Sequence, residues 1–408
     1  MSIAQTNTIA PKHEPLILSG SKSKRKFVGI WWSVFVHLFK THKSPIRVYK
    51  ILRSSVKMKK RYTKEKKYHD KVALVDGKVY FNCNNAGWPS KHFFKIVDIE
   101  SRKALYNDVS NLENLRMVQL AFTKKCPLNC EHCYEGEELN KKDVLTVEDH
   151  KKIVKKLQDA GIPMIHFGGG DPMAKVDDVV EILNSAQDSS DFWVFTSGFN
   201  LNEKNAQRLK QAGLTGISIG LDHHDRDLHN KFRRNDKAYD WAIEGGKNAV
   251  NAGLVLTFTI CLTREFCTKE NLYAYLHLAK DVGASFVQML EPRAVGNFAG
   301  KEVWLLPEHS EVVDDFFIKA NRDPEYKDMP IVLYPGYHQK RNGCTAAGNK
   351  YLYIDTNGYM SSCPFCRNTK SHILDEEHEA NIQQMKNDGC EMNKEIIVKE
   401  ELVQMDEN

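Results

Sequence analysis

The feature that most constrains this chain is a series of six short apolar segments between about residues 115 and 290, separated by stretches of helical periodicity. They are MVQLAFT (117–123), MIHFG (164–168), FWVFTS (192–197), GISIGLD (216–222), LVLTFTI (254–260) and SFVQML (285–290). Each is too short for a helix and rich in β-branched and aromatic residues, as strands are. The stretches between them begin near Thr146, Asp177, Asn202, Ala238 and Lys269. Several run out at Gly161, Gly213, Gly253 and Gly283, where a left-handed C-cap suits a residue without Cβ. This alternation predicts repeated βα units and a parallel sheet. Six units fit better than eight, because the chain before the next change of composition is short of the ~250 residues of a closed eightfold barrel.

At 408 residues there is room for one barrel-sized domain with appendages. Hydrophobic residues make up 41% and charged ones 27%, and no apolar run approaches the ~20 residues that span a bilayer. The opening residues MSIAQTNTIAPKHEP carry no secretory pattern, so a cytoplasmic location is expected. In that reducing compartment the ten cysteines read as metal ligands before disulfides. The net charge of +5 is uneven: through Lys67 there are seventeen Lys and Arg against Glu14 and Glu65, a local +15 that leaves the remainder near −10. Residues 26–67 also hold FVGIWWSVFVHLFK. Two readings stand side by side: a basic amphipathic segment resting on the inner, anionic face of a membrane or on a partner, and a helix pair packed on the body with its charges solvated. No nucleic-acid module follows the basic block, and no nucleic-acid partner is expected.

The chemistry is concentrated in FTKKCPLNCEHCYEG, where Cys126, Cys130 and Cys133 follow directly on the first strand. Thiolates are the soft ligands of iron-sulfur clusters, and a full set is four. A compact trio leaves one iron open at the carboxyl end of a strand, where parallel barrels keep their active sites. Zinc would want four closed ligands, with His132 the tempting fourth, but His132 is adjacent to Cys133, and zinc cysteines usually come as two separated pairs. The bacterial ferredoxin run has a different spacing. After the second strand comes FGGGDPM, whose Gly168, Gly169 and Gly170 let backbone approach a ligand closely, followed by Asp171 and Pro172.

CPLNCEHCY resembles the signature of the radical S-adenosylmethionine (radical SAM) superfamily, and the resemblance extends over roughly Leu115 to Leu290. It implies a [4Fe-4S] cluster on Cys126, Cys130 and Cys133 whose open iron binds SAM. It also implies reductive cleavage to a 5′-deoxyadenosyl radical that takes hydrogen from substrate, and an electron donor such as flavodoxin or ferredoxin. By the same resemblance His132 would lie near adenine. Gly169, Gly170, Asp171 and Pro172 would match the family's Gly-Gly-Glu-Pro segment, with Asp in place of Glu. Ser218 in SIGLD would touch SAM, and Arg233 in HNKFRR would pair with its carboxylate. No nucleophile or general base stands out.

A second constellation comprises Cys344, Cys363, Cys366 and Cys390, with YLYIDTNGYMSS between the first two reading as a hairpin turning at Asn357-Gly358. It resembles the SPASM and Twitch extensions of radical SAM enzymes and implies one auxiliary [4Fe-4S] cluster; zinc stays open there. Cys83, Cys261 and Cys267 read as small buried hydrophobes.

The expected architecture is α/β: a partial (β/α)6 TIM-like barrel with a small cysteine-rich C-terminal extension and a basic helical N-terminal segment. The boundaries are 1–70 for the basic segment, 71–114 for a region with a hairpin turning at Asp76-Gly77, 115–295 for the barrel, 296–329 for a connector and 330–408 for the extension. The expected activity is radical SAM chemistry on a peptide or protein, an inference from family association. The alternatives are a lipid-linked or small-molecule substrate at a membrane surface, and an iron-sulfur electron carrier or binding protein without SAM turnover.

Overall fold

The computed structural model describes residues 15–63, 71–106, 111–344, 348–366, 371–376 and 378–389. The N-terminal unit runs β1 (Leu16–Leu18), α1 (Gly20–His42), α2 (Pro45–Thr63), β2 (Val72–Val75), β3 (Lys78–Tyr80) and α3 (Lys91–Tyr106). Its three strands form an antiparallel sheet in the order β1-β2-β3, with Leu16 opposite Leu74 and Ala73 opposite Tyr80. The expected hairpin is present: Asp76 and Gly77 both have positive φ (48° and 72°), the requirement of a tight two-residue connection with right-handed strand twist.

The larger unit begins with β4 (Met117–Thr123), α4 (Val147–Asp159), β5 (Met164–Gly169), α5 (Val176–Ser185), β6 (Asp191–Thr196) and α6 (Glu203–Gln211). It continues with β7 (Leu214–Gly220), α7 (Arg226–Arg233), α8 (Ala238–Asn251), β8 (Val255–Cys261), α9 (Lys269–Val282), β9 (Phe286–Leu290) and α10 (Pro307–Arg322). The last elements are β10 (Ile331–Leu333), α11 (Pro335–Asn342), β11 (Tyr351–Ile354), β12 (Met360–Ser361) and α12 (His378–Asp388). Strands β4 to β9 coincide with the six expected ones to within one or two residues. Their helices start where the sequence offers caps: the Thr146 and Asn202 side chains accept from the backbone N–H of Asp149 and Asn205, and Thr268 accepts from Asn271. Gly161, Gly213, Gly253 and Gly283 all take positive φ.

The sheet order is β10-β9-β8-β7-β6-β5-β4-β11-β12, parallel throughout except for β12. Strands consecutive in sequence stay consecutive in space from β4 to β10, the winding of a barrel, and the sheet ends at β10 and β12 without closing. Two edges were not foreseen. Ile331–Leu333 adds a parallel strand beyond β9, and Tyr351–Ile354 pairs in parallel with β4, so part of the cysteine-rich extension is built into the same sheet.

The outer faces of the strands and the inner faces of the helices form one continuous core that includes Leu120, Phe167, Val194, Ile219 and Phe258. A second cluster closes the barrel's amino end, where Met164, Trp193, Val255, Phe286 and Ile331 meet Ile17, Ala73, Val75, Tyr80 and Cys83 of the N-terminal unit. A buried lysine adds to this closure: Lys71 Nζ donates to the carbonyls of Ala320 (2.7 Å), Tyr326 (2.5 Å) and Met329 (3.3 Å), near the carboxyl end of α10, where a cation is electrostatically favoured. With its amino end plugged, the barrel is open to ligands at its carboxyl end.

Candidate active site

The loop after β4 carries the three thiols to that carboxyl end. Cys126, Cys130 and Cys133 are free and pack together with Leu128, Ala238 and Trp241, Cys130 being buried and the other two half-buried. The loop is held by its own polar residues. Asn140 pairs reciprocally with the Cys126 backbone (3.1 Å each way), while Asp143 accepts from Thr123 Oγ1 (2.8 Å) and the Lys124 N–H (2.7 Å). From the far side, Asn297 donates its backbone N–H to the Cys133 carbonyl (3.0 Å) and its side chain to the Cys130 carbonyl (2.9 Å). Gly296, at φ 57°, lies so close to Cys133 and Tyr134 that any Cβ would overlap their backbone. The roles of Asn140 and Asp143, a few residues past Cys133, and of the distant Asn297 have no signal in the sequence, since each acts only through the folded loop.

The glycine run lies directly against this loop. The Gly170 N–H donates to the Thr123 carbonyl and the Asp171 N–H to the Lys125 carbonyl, both at 2.7 Å. A Cβ on Gly169 (φ 106°) would stand 2.7 Å from the Thr123 carbonyl oxygen, and one on Gly170 would collide with that of Lys125. Both positions therefore demand glycine.

Asp171 is buried, and its carboxylate accepts from Thr196 Oγ1 (2.7 Å), Ser197 Oγ (2.5 Å), the Ser197 N–H (3.0 Å) and the Met173 N–H (3.0 Å). Burial pushes its pKa up against the pull of these donors. Four donors fill the lone-pair positions of a carboxylate, so Asp171 ties the end of β5 to that of β6 and caps the short helix that Pro172 begins.

Arg233, at the end of α7, is buried and donates from Nε to Asp222 Oδ2 at 2.5 Å, with Nη1 3.8 Å from Cys130 Sγ. Its guanidinium covers Gly220, where a Cβ would strike it. Asp222, whose other oxygen receives the Cys261 N–H (2.9 Å), is held below the usual carboxylate range: burial works against this, but the charge of Arg233 prevails. Its position two residues past β7 was the available signal for this role. His132 is stacked on Phe232 (4.9 Å, 15°), and burial lowers its pKa to about 4. Ser218 lies inside the barrel and shares a 2.7 Å hydrogen bond with Thr259.

Burial pushes all three loop thiols up, Cys130 to about 11 despite Arg233 nearby. Buried sulfur donors of this kind ionise when a cationic centre accepts them. Among the described residues no three His, Cys, Asp or Glu side chains are grouped as the ligands of a single ion. A cubane gives each thiolate its own iron and needs no such convergence, so three soft donors beside a tight glycine backbone fit a [4Fe-4S] cluster.

Two of the C-terminal cysteines, Cys363 and Cys366, come close to the same loop. Cys363 and Cys366 form a turn in which the Cys366 N–H lies 3.3 Å from Cys363 Sγ. Phe365, inside that turn, meets Tyr134 edge-on at 5.8 Å, next to Cys133. Tyr353 of β11 donates to Glu135 Oε1 at 2.7 Å. Cys344 is half-buried after α11, and Cys390 lies outside the described residues. Of the remaining cysteines, Cys83 and Cys267 are buried and Cys261 half-buried. Beside the cysteine loop opens a cavity of about 490 Å³ whose lining includes Glu131, Asp222, Phe232, Arg264, Phe298 and Glu302.

Comparison with known proteins is consistent with this site. Residues 120–267 match the family model described as the radical SAM superfamily. A probable GTP 3′,8-cyclase of Saccharolobus solfataricus is 29% identical over 280 residues, which cover 65% of this chain and 86% of that protein. An AdoMet-dependent heme synthase of Nitratidesulfovibrio vulgaris is 25% identical over 284 residues, covering 61% of this chain and 74% of the relative. Among solved structures, Streptococcus suis SuiB bound to its precursor peptide SuiA superposes with a TM-score of 0.55 at 12% identity, covering 92% of this chain and 88% of that one. Native anSMEcpe with bound AdoMet gives 0.51 at 13% identity, covering 68% and 83%. At these identities the structures speak to the fold.

Proposed function

This chain belongs to the radical SAM superfamily through residues 120–267, and on that premise we propose that it is an enzyme acting on an unactivated C–H bond of a peptide or protein. The observation that carries the chemistry is the juxtaposition of the Cys126, Cys130 and Cys133 loop with the Gly169-Gly170 backbone at the open end of the barrel. These three cysteines would hold the SAM-binding cluster. When bound, it supplies the electron for reductive cleavage of SAM and so the means of hydrogen abstraction.

The chain's own residues do the positioning. Gly169 and Gly170 present backbone where a side chain would block approach, and Asp171 fixes the Thr196-Ser197 strand end beside them. Arg233, neutralised on one side by Asp222, keeps a guanidinium beside Cys130, a planar group suited to a carboxylate. His132 on Phe232 forms a flat wall between the loop and the cavity. Ser218 stays inside the barrel beneath it. Cys344, Cys363, Cys366 and Cys390 are assigned to one auxiliary cluster.

The peptide substrate is supported by the cavity, whose mixture of Glu131, Arg264 and Glu302 with Phe232 and Phe298 suits a segment carrying both charge and apolar groups. It is supported too by the likeness to SuiB with its precursor peptide, which extends over 92% of this chain. The cyclase and heme synthase relatives, named for small molecules, match 65% and 61% of it. Anaerobically reconstituted protein, given SAM and dithionite, is expected to release 5′-deoxyadenosine and to change the mass of peptides in a diverse pool. Consumption of GTP with every peptide unaltered would overturn the peptide assignment, and absence of 5′-deoxyadenosine would overturn the enzyme class.

A further inference from the structure

Helix α1 has two apolar faces, and the enzyme fold accounts for one of them. Phe27, Ile30, Val34 and Leu38 pack into the cores of the N-terminal unit. About a third of a turn away a second stripe, Val28, Trp32, Phe35 and Phe39 with Trp31 beside it, stands in solvent. Val28 is 70% exposed and Trp32 67%, values far from those of a helix face packed on its own protein. The rings are ordered against one another, Trp32 on Phe35 at 5.8 Å and Phe35 on Phe39 at 4.7 Å, so they make a continuous ridge. On the adjoining α2, Ile46 (70%) and Tyr49 (62%) are exposed as well.

The charge around this ridge selects its partner. Nine Lys and Arg between Lys22 and Lys57 are exposed, and residues 15–64 contain no Asp or Glu. A second copy of the chain would bring the same positive surface against itself. A nucleic acid would satisfy the cations and could stack on the rings, but Val28, Ile46 and Val56 gain nothing from phosphate or from base stacking. A protein partner would need a preformed groove lined with acidic groups to receive protruding Trp, Phe and Val side chains, whereas acyl chains receive them without one. No helix among the described residues is long and apolar enough to cross a bilayer. We propose that α1 and the start of α2 form a docking face for an anionic membrane surface, with the aromatic ridge inserted among the lipids and the lysines and arginines at headgroup level. This inference is independent of the substrate assigned above and survives if that assignment fails.

The test is flotation of the full-length protein with liposomes of phosphatidylcholine alone or containing about one-third phosphatidylserine. Binding is expected to the anionic vesicles, at least tenfold stronger than to neutral ones, with a blue shift of tryptophan fluorescence. The double substitution Trp32→Glu and Phe35→Glu should reduce binding at least tenfold and abolish the shift. Lys40→Glu with Arg47→Glu should weaken binding to anionic vesicles alone. All four side chains are exposed, and unchanged thermal unfolding establishes that the variants are folded. Equal binding to both lipids, no binding to either, wild-type binding by folded variants, or retention only on RNA or an acidic peptide would overturn the proposal.

Discussion

The Cys126, Cys130 and Cys133 loop and the Cys363-Cys366 turn meet at one mouth of the barrel and are specified in different ways. Cys126, Cys130 and Cys133 sit in one loop whose ends are tied by Asn140 and Asp143 and whose outer side is strapped by Asn297. Cys363 and Cys366 form a local turn, while Cys344 is separated from them by β11 and β12. The first site is a property of a contiguous segment on a strand end. The second depends on β11 pairing with β4, a contact between residues more than two hundred positions apart in sequence. A site of the first kind is expected to lose its chemistry when one ligand goes, and one of the second kind to lose its own iron while leaving the first intact.

That contrast is tested most severely by ligand removal. Cys130→Ala should abolish 5′-deoxyadenosine formation, a fall of more than about a thousandfold, and remove about half of the bound iron. Cys363→Ala with Cys366→Ala should remove the other half yet leave SAM cleavage within about tenfold of wild type. If the second variant cleaves no SAM, the two sites are one unit and the comparison fails.

Acid should act on the barrel behind the first site. Burial lowers His166 from 6.5 to about 3, and burial followed by Arg233 does the same to His229. Below about pH 6.5 the unfolded chain takes up protons that the folded one refuses. Their contribution to stability is thus complete above pH 6.5 and falls toward pH 3, by up to about 1.4 kcal/mol per pH unit for each histidine. Both His166 ring nitrogens are buried without a hydrogen-bond partner in the structure, so His166→Phe should flatten the profile of unfolding temperature against pH. An unaltered profile would remove His166 from this account.

Asp171→Asn replaces one acceptor oxygen with a donor that must face either the two Ser197 donors or those of Thr196 and Met173, and should cost about 2–4 kcal/mol in denaturant unfolding. The same change at the exposed Asp177 should cost less than about 0.5 kcal/mol. A further, modest effect lies at the seam between the two cysteine regions. A double-mutant cycle of Tyr134→Leu and Phe365→Leu should give a coupling of about 0.5–1.5 kcal/mol, and zero coupling would mean that the regions touch without supporting one another.

Much of the barrel was readable because strand and helix periods differ and because caps such as Thr146 and Asn202 lie at the ends of their helices. The hairpin expected in YLYIDTNGYMSS is β11 paired with β12, but its place beside β4 and the whole of β10 have no signal in the sequence, because three or four apolar residues carry no period of their own and a pairing partner is chosen only in the fold. Helix α7 was missed as well, being eight residues of mostly polar character whose N-cap, Asp225, is unremarkable in sequence. The paired role of Asp222 and Arg233 likewise appears only when the end of β7 and the end of α7 meet.

The amino-acid sequence by itself determined the alternation of elements, the three sulfur donors on one strand end and the glycines that let backbone approach them, since each follows from local spacing and side-chain chemistry. Tertiary structure alone decided which distant groups complete that site. It also decided how Lys71 and the N-terminal sheet plug one end of the barrel, and that a second apolar face of α1 is left in water, because burial and partnership belong to the packed chain and not to any segment of it.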